Sequence, residues 1–164
     1  MQRLFCRRLS LFILILSFVT PPAFSQPNTA GKLFQEAVRD QRGQKWQDSL
    51  GKFKKVISLS PNSLLAQKSY IEIGKYYKYQ RNWEEAIDQY HKSIAIAPHT
   101  RPAHDAKTAE AAVYYFRQDF SRALTIFQEV LSETTDWDQI KYCNYWIKEL
   151  KRRMSFSPQE SFSC

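Results

Sequence analysis

The chain has 164 residues, a formal net charge of +8 and only 4 glycines. Its length favours a single domain, and the scarcity of glycine beside abundant alanine, lysine and glutamine favours helices over a turn-rich sheet. The basic charge suits an acidic protein, an anionic polymer or lipid headgroups. We expect no nucleic acid partner, because the sequence shows no basic surface interleaved with stacking aromatic residues.

Residues 1–25 differ in composition from the rest of the chain. Three arginines precede an apolar run at 9–19, and small residues follow at Ala23 and Ser25. This order is typical of a secretory signal peptide. We predict cleavage after Ser25, so that the protein is exported and is either periplasmic or secreted. The apolar run is too short to span a bilayer comfortably, and an uncleaved N-terminal anchor is the alternative.

The chain repeats itself at a spacing of 37 residues. Residues of the same size and polarity fall into columns over three successive units, which is hard to obtain by chance. The columns alternate small and aromatic residues, namely Ala37, Gly74 and Ala111; Trp46, Trp83 and Phe120; Ser49, Ala86 and Ala123; and Phe53, Tyr90 and Phe127. We predict that these residues, together with Tyr77, pack each unit and do not form a ligand site.

Each unit is predicted to contain two helices. In the second unit, apolar residues recur at intervals of three to five over 63–79 and form one stripe over 83–97. Asn82 is expected to cap the second of these helices, and Asp119 is expected to do the same in the third unit. Gly74 leaves room for the two backbones to approach within about 8–10 Å.

This pattern resembles the tetratricopeptide repeat family. The resemblance is strongest in the second unit, residues 70–98, which carries Gly74, Tyr77, Ala86, Tyr90 and Pro98 in the family's pattern. It implies an all-α fold, a short right-handed α-solenoid of three antiparallel helix hairpins over 29–135, divided at about 29–62, 63–99 and 100–135. Asp40 replaces an expected aromatic residue, and Thr135 replaces an expected proline.

The repeat spacing exceeds the family's usual period of about 34 residues. The extra residues fall between each proline and the next small residue, where they lengthen either the first helix or the loop before it. Longer repeats of this kind resemble those of bacterial periplasmic and envelope proteins.

A further helix is predicted after the third unit. Residues 136–154 carry an apolar stripe, and Asp136 with Gln139 resembles a capping box. We expect this helix to cap the solenoid, because stacked repeats need a terminal unit with a polar outer face. Residues 155–164 are expected to be disordered. The sequence leaves open whether a disulfide joins the two cysteines that follow the signal peptide, Cys143 and Cys164.

The sequence contains no recognisable catalytic constellation. It has no glycine-rich phosphate loop and no motif of a zinc protease, redox dithiol or serine hydrolase, so we expect neither enzymatic activity nor a cofactor. Glu84 and Glu85 diverge by about 100° on one helix and cannot face one substrate. His99, His104 and Asp105 lie together, but loop histidines at a surface are far commoner than metal ligands, and we predict no metal site.

The resemblance implies that first-helix residues outside the packing columns line a concave groove for a peptide or helix. The seven main candidates, all basic or aromatic, are Arg42, Lys68, Lys75, Lys78, Tyr79, Tyr115 and Phe116. By register, the groove also takes Ile71, Asp105, Thr108, Ala112, Phe34, Val38 and Gln41. The family's carboxylate clamp does not carry over, because Phe34, Val38 and Asp105 stand where it would have lysine or asparagine. The alternative is a solvated lysine face without a partner.

We therefore expect an exported adaptor or scaffold of the bacterial cell envelope that binds a segment of another protein. Three repeats are near the minimum for stability, so self-association or docking into a larger assembly also fits. A peripheral surface protein is the alternative function, with the basic end of the last helix, residues 148–154, held on anionic lipid or polymer.

Overall fold

A computed structural model describes residues 27–156. The signal peptide expected at 1–25, most of the tail expected at 155–164 and Cys164 lie outside this range. The described residues form seven helices and no strand: α1 (Pro27–Arg42), α2 (Trp46–Leu59), α3 (Leu64–Tyr79), α4 (Trp83–Ile96), α5 (Arg101–Phe116), α6 (Phe120–Glu133) and α7 (Trp137–Phe156).

The first six helices pair into three hairpins that stack in chain order. α1 packs on α2, α3 on α4 and α5 on α6, and each second helix also packs on the first helix of the next hairpin. Successive first helices contact one another more closely than successive second helices do. The stack therefore curves with the first helices on its concave side, and α7 packs on α6 at its end. The predicted all-α solenoid with a capping helix is confirmed.

A glycine and a tyrosine form the seam of the second hairpin. A Cβ atom at Gly74 would lie 2.5 Å from Cε1 of Tyr90, a separation that real Cβ atoms essentially never show. Ala86 and Tyr90 are fully buried on the facing helix. The equivalent columns of the other hairpins are also buried, as Ala37 with Phe53 and Ala111 with Phe127. Each seam thus places a small residue against an aromatic ring, which lets the backbones approach closely.

The turn inside each hairpin uses a left-handed residue at the same column. Gln44, Arg81 and Gln118 have φ angles of 60°, 60° and 65°. In the second turn, the N–H of Asn82 donates to the carbonyl of Tyr77 at 2.9 Å, which closes the end of α3. Such positions usually hold glycine, so the sequence offered no local signal for them.

The extra residues of the longer period lie in the first helices. α1, α3 and α5 each have 16 residues, whereas α2, α4 and α6 each have 14. Only four residues, from Ser60 to Ser63, connect α2 with α3. The longer first helix is therefore the correct choice between the two sequence-based alternatives.

The predicted helix caps have different outcomes. Asp119 caps α6, since its carboxylate accepts from the N–H of Arg122 at 3.1 Å. Asn82 holds the N-cap position of α4, as predicted, but its side chain makes no capping hydrogen bond to that helix. Asp136 accepts from the N–H of Gln139 at 3.1 Å, which is half of a capping box. The other half is missing, because the N–H of Asp136 donates to Oγ1 of Thr134 at 3.1 Å.

α7 completes the core of the third hairpin. Cys143 and Leu150 are fully buried in a cluster with Phe127 and Val130. The ring of Trp146 stacks on Phe127 with 6.0 Å between centroids. Burial raises the pKa of the Cys143 thiol, so this residue is a core side chain with little thiolate character.

Candidate partner-binding groove

A cavity of about 560 Å³ opens on the concave side of the solenoid. Its walls come from α3 and α5, with Phe34 of α1 and the first two turns of α7 closing its ends. Apart from one adjacent pair on each helix, successive lining residues are three or four positions apart, so they share one face. The α3 wall consists of Lys68, Ile71, Glu72, Lys75 and Lys78, and the α5 wall of Arg101, Asp105, Thr108, Ala109 and Ala112. Asp138, Gln139 and Tyr142 come from α7.

The α3 wall carries three lysines in different electrostatic environments. Lys75 donates to Oε1 of Glu72 at 2.7 Å, and Oε2 of Glu72 accepts from Gln41 at 3.0 Å. Lys68 is exposed and forms no ion pair with another described residue. Lys78 is half-buried, and burial, followed by the charge of Lys75, lowers its pKa. The α3 wall therefore presents excess positive charge.

Lys78 has no carboxylate partner among residues 27–156. Its Nζ atom instead lies over the ring of Phe116, 5.9 Å from the centroid. A partly desolvated ammonium group without a counter-charge is unfavourable, although the ring offsets a part of this cost. An anionic group of a bound partner would supply the missing charge.

The opposite side of the cavity is more acidic. Asp105 accepts from Nε2 of Gln139 at 3.0 Å, and Arg101 is paired with Asp136. Asp138 contributes a further exposed carboxylate at the start of α7. Burial raises the pKa of Tyr142, which therefore stays a neutral phenol. The cavity is thus polarised, with lysines on α3 and carboxylates on α5 and α7.

Three predicted groove residues lie outside the cavity, at the ends of the first helices. Tyr79 stacks on Trp46 with 6.2 Å between centroids, and Phe116 stacks on Trp83 at 6.4 Å. Both outer rings are exposed, Tyr79 by 80% and Phe116 by 59%. Arg42 holds the equivalent last position of α1. We call Arg42, Trp46, Tyr79, Trp83 and Phe116 the aromatic edge. Lys78 lies between this edge and the cavity.

Tyr115 has a different environment from the other candidates. Its ring lies 5.1 Å from that of Trp146 and 5.7 Å from that of Phe120. The guanidinium group of Arg153 covers the ring at 5.0 Å. The structure thus places Tyr115 between the third hairpin and α7. Of the seven candidates, Lys68, Lys75 and Lys78 line the cavity.

The lining residues of α7 were missed by sequence reasoning, because that helix was assigned only a capping role. Asp138, Gln139 and Tyr142 recur at one and three residues on the turn that faces α5. This spacing shows in the sequence that the three residues share one side of α7. It does not show that this side lines a groove until the position of α7 against α5 is known. Arg101 was missed because it precedes the part of α5 that aligns with the repeat columns.

A buried polar cluster lies behind the cavity at the base of α7. Nδ1 of His104 is 3.3 Å from Oε1 of Gln139, which also accepts from the hydroxyl of Thr134 at 2.7 Å. Nε2 of His104 is 3.4 Å from a carboxylate oxygen of Glu133 but lacks hydrogen-bond alignment. The expectation of a loop surface is wrong for His104, because this side chain is buried in α5.

Two further properties concern only the described part of the chain. Residues 27–156 include no group of three histidine, cysteine, aspartate or glutamate side chains arranged to hold a metal ion. None of the seven helices combines the length and apolar character that a bilayer span requires.

The solenoid is similar to several solved structures. The N-terminal domain of stress-induced protein-1 (STI-1) from C. elegans has a TM-score of 0.61 at 19% identity, covering 79% of this chain and 98% of that one. The TPR2B domain of yeast Sti1, in a pHsp70 complex, has a TM-score of 0.63 at 12% identity and coverage of 76% and 97%. The Yersinia enterocolitica type III secretion translocator chaperone SycD has a TM-score of 0.65 at 12% identity, covering 77% of this chain and 95% of that one.

These likenesses show that the chain has the tetratricopeptide-repeat fold, as its repeat columns predicted. The identities are low, so the likenesses concern the fold alone. No family model and no curated protein matches the sequence.

Proposed function

We propose that the protein is an exported adaptor of the bacterial cell envelope that holds a segment of a partner protein in the concave cavity. The observation that carries this proposal is Lys78, a half-buried cation without a described carboxylate partner. It lies in a cavity large enough for several partner side chains. An acidic side chain of the partner at Lys78 would replace lost solvation, and Ile71 and Ala112 offer apolar contact elsewhere on the cavity lining.

The fold supports a binding role. The yeast Sti1 domain was solved in a complex with pHsp70, so a stack of this kind can hold a segment of another protein. The chemistry of recognition must differ here, because Phe34 and Asp105 line the cavity where the family's clamp would have lysine or asparagine. We infer an interaction module without enzymatic activity, since the lining carboxylates accept from amide or lysine side chains or lie on the surface.

Export rests on the composition of residues 1–25, and mass spectrometry of the protein purified from cells tests it directly. Cleavage after Ser25 would leave Gln26 at the N-terminus. An intact N-terminus in a membrane fraction would overturn cleavage and favour the uncleaved anchor.

Site-specific photocrosslinking in cells tests the cavity. A photoreactive residue at Ala112, which lines the cavity, should capture a partner that the same residue at the exposed Gln128 of α6 does not. The double variant Lys75→Glu/Lys78→Glu should abolish the crosslink at position 112, because it reverses the charge of the α3 wall. The matched variant Lys54→Glu/Lys55→Glu changes two exposed lysines of α2 and should leave it intact. Equal crosslinking in both double variants would overturn the cavity as the binding site.

A further inference from the structure

The outward face of α7 carries a line of aromatic and basic side chains. Cys143 and Leu150 face the third hairpin and are fully buried, so the opposite side of the helix is open. Five residues at intervals of four, four, three and four positions lie along that side, and all are exposed: Trp137, Lys141, Tyr145, Lys148 and Arg152. We call this line the terminal stripe. No packing column of the repeat explains it.

The aromatic members of the terminal stripe are unusually exposed. Trp137 is 66% exposed and Tyr145 is 63% exposed. Nζ of Lys141 lies 5.2 Å from the ring of Trp137, so an amphipathic ring and a cation stand side by side. From Trp137 to Arg152 the stripe extends about 22 Å along the helix. This length is enough to contact several lipid headgroups at once.

The charges of the stripe are centred on its two lysines. Glu149 accepts from both Arg152 and Arg153, at 2.7 Å and 2.8 Å, and thereby offsets a part of their charge. Lys141 and Lys148 form no ion pair with another residue of 27–156. Lys148 belongs to the basic surface expected at 148–154, and Lys141 extends that surface toward the start of α7, beside Trp137 and Tyr145.

We propose that the terminal stripe docks on the surface of an anionic phospholipid bilayer. Tryptophan and tyrosine favour the interface between hydrocarbon and water, where the ring is apolar on one side and hydrogen-bonded on the other. Lysines next to a negatively charged membrane surface add electrostatic attraction. The apolar face of α7 is occupied by the third hairpin, so the helix lies on the headgroups and does not insert. Docking is thus shallow, reversible and sensitive to salt.

This surface is independent of the cavity. Lys141 and Tyr145 face away from the hairpins, whereas Asp138, Gln139 and Tyr142 line the cavity from the adjacent side of α7. Docking through the stripe would leave the cavity open beside the bilayer. Membrane docking and partner binding can therefore fail separately in experiments.

Vesicle co-sedimentation of the full chain tests the proposal. Vesicles of phosphatidylcholine with about one-third phosphatidylglycerol are compared with pure phosphatidylcholine vesicles, so that any contribution of the apolar run at 9–19 appears in both. The anionic vesicles should bind more protein at about 0.1 M NaCl, and the excess should vanish at about 0.5 M. Lys141→Glu/Lys148→Glu should lower the partition coefficient into anionic vesicles by about thirtyfold or more.

A matched charge change and a contact probe complete the test. Lys54→Glu/Lys55→Glu, on the exposed side of α2, alters net charge equally and should change binding by less than about threefold. Brominated lipid should quench the tryptophan emission of the wild type, and Trp137→Phe should remove most of that quenching. Equal binding to neutral and anionic vesicles, unchanged binding of the α7 double variant, or an equal loss in the α2 control would each overturn the proposal.

Discussion

The hairpin seams are buried, and so is the polar cluster of His104, Thr134 and Gln139 at the base of α7, which we call the junction. The two regions use different chemistry. Each seam places a small residue against an aromatic ring and is almost entirely apolar. The junction places His104, Thr134 and Gln139 in contact and satisfies most of their polar atoms with one another. Apolar contacts tolerate a repeated pattern, whereas a buried polar group must find a specific partner.

One repeat column shows this difference directly. Its members are Ala30, Gln67 and His104, and all three are buried. Nε2 of Gln67 donates to the carbonyls of Ser93 and Ala97, both at 3.1 Å, and so satisfies the end of α4 within its own hairpin. His104 needs Gln139 from α7 instead. Along this column, the first residue is apolar, the second makes its hydrogen bonds within its own hairpin, and the third makes its hydrogen bond to α7.

Removing an aromatic ring from a seam should have the largest effect. Phe53→Ala deletes a ring that is 1% exposed and should cost about 3–5 kcal/mol of unfolding free energy, measured by chemical denaturation. Phe116→Ala makes the same change on the aromatic edge, where the ring is largely exposed, and should cost less than about 1 kcal/mol. Similar losses in the two variants would contradict the assignment of seam and edge.

Adding a methyl group should have opposite effects on stability at the seam and at the surface. Gly74→Ala forces a Cβ atom against Tyr90 and should destabilise the protein by about 1–3 kcal/mol. Gly51 lies in α2, and a Cβ atom added there would meet nothing within 4 Å, so Gly51→Ala should stabilise the protein by about 0.5–1 kcal/mol. Thermal unfolding of the two variants measures both effects. A neutral Gly74→Ala would show that Tyr90 can move aside.

Breaking the junction should loosen α7 more than the hairpins. Gln139→Ala removes the acceptor of the Thr134 hydroxyl proton and the partner of Nδ1 of His104, and it should cost about 1–2 kcal/mol of unfolding free energy. Amide hydrogen exchange should show faster exchange in α7 and little change in α3 and α4. Gln128→Ala, at an exposed position of α6, is the control and should leave exchange unaltered. Uniform acceleration across all seven helices would contradict a locally acting junction.

The smallest effects should appear in the pH dependence of two glutamates. Burial raises the pKa of Glu110 above its ordinary value of 4.5, against the opposing effect of His91. Its stabilising contribution is full below pH 4.5 and is lost as the pH rises through the folded-state pKa. Glu133 has the opposite sign, because Lys107 lowers its pKa. Its contribution is present above pH 4.5 and is lost as the pH falls.

Unfolding measured at pH 4 and pH 7 tests this pair. Glu110→Gln should be more stable than the wild type at pH 7, with a smaller gain at pH 4. Glu133→Gln should be less stable than the wild type at pH 7, with a smaller loss at pH 4. Shifts of the same sign in both variants would show that overall charge, not the local environment of each carboxyl group, sets the pH dependence.

Much of the fold was predictable because its information is local and repeated. The columns that contain Gly74, Ala86 and Tyr90 predicted the hairpin. The cap at Asp119 was also predictable, since its hydrogen bond spans only three residues. The turns at Gln44, Arg81 and Gln118 were not, because residues other than glycine carry the left-handed conformation there.

The candidate site was predictable only in part. Residue spacing around α3 correctly grouped Lys68, Lys75 and Lys78 on one face, which then lines the cavity. The same spacing did not separate Tyr79 and Phe116 from that cavity. Helical periodicity gives an angle around the axis, but the stacking of these rings on Trp46 and Trp83 depends on where neighbouring helices end.

By itself, the sequence determined the repeated helix hairpins and the side of each helix that is buried, because hydrophobic periodicity and steric fit act between residues close in the chain. Only the tertiary structure decided how α7 meets α5, which places Asp138 and Tyr142 in the cavity and leaves Trp137 and Tyr145 facing outward. That contact joins residues about 35 positions apart through single polar bonds such as those of His104 and Gln139. Bonds of this kind depend on three-dimensional distance and leave no period in the sequence.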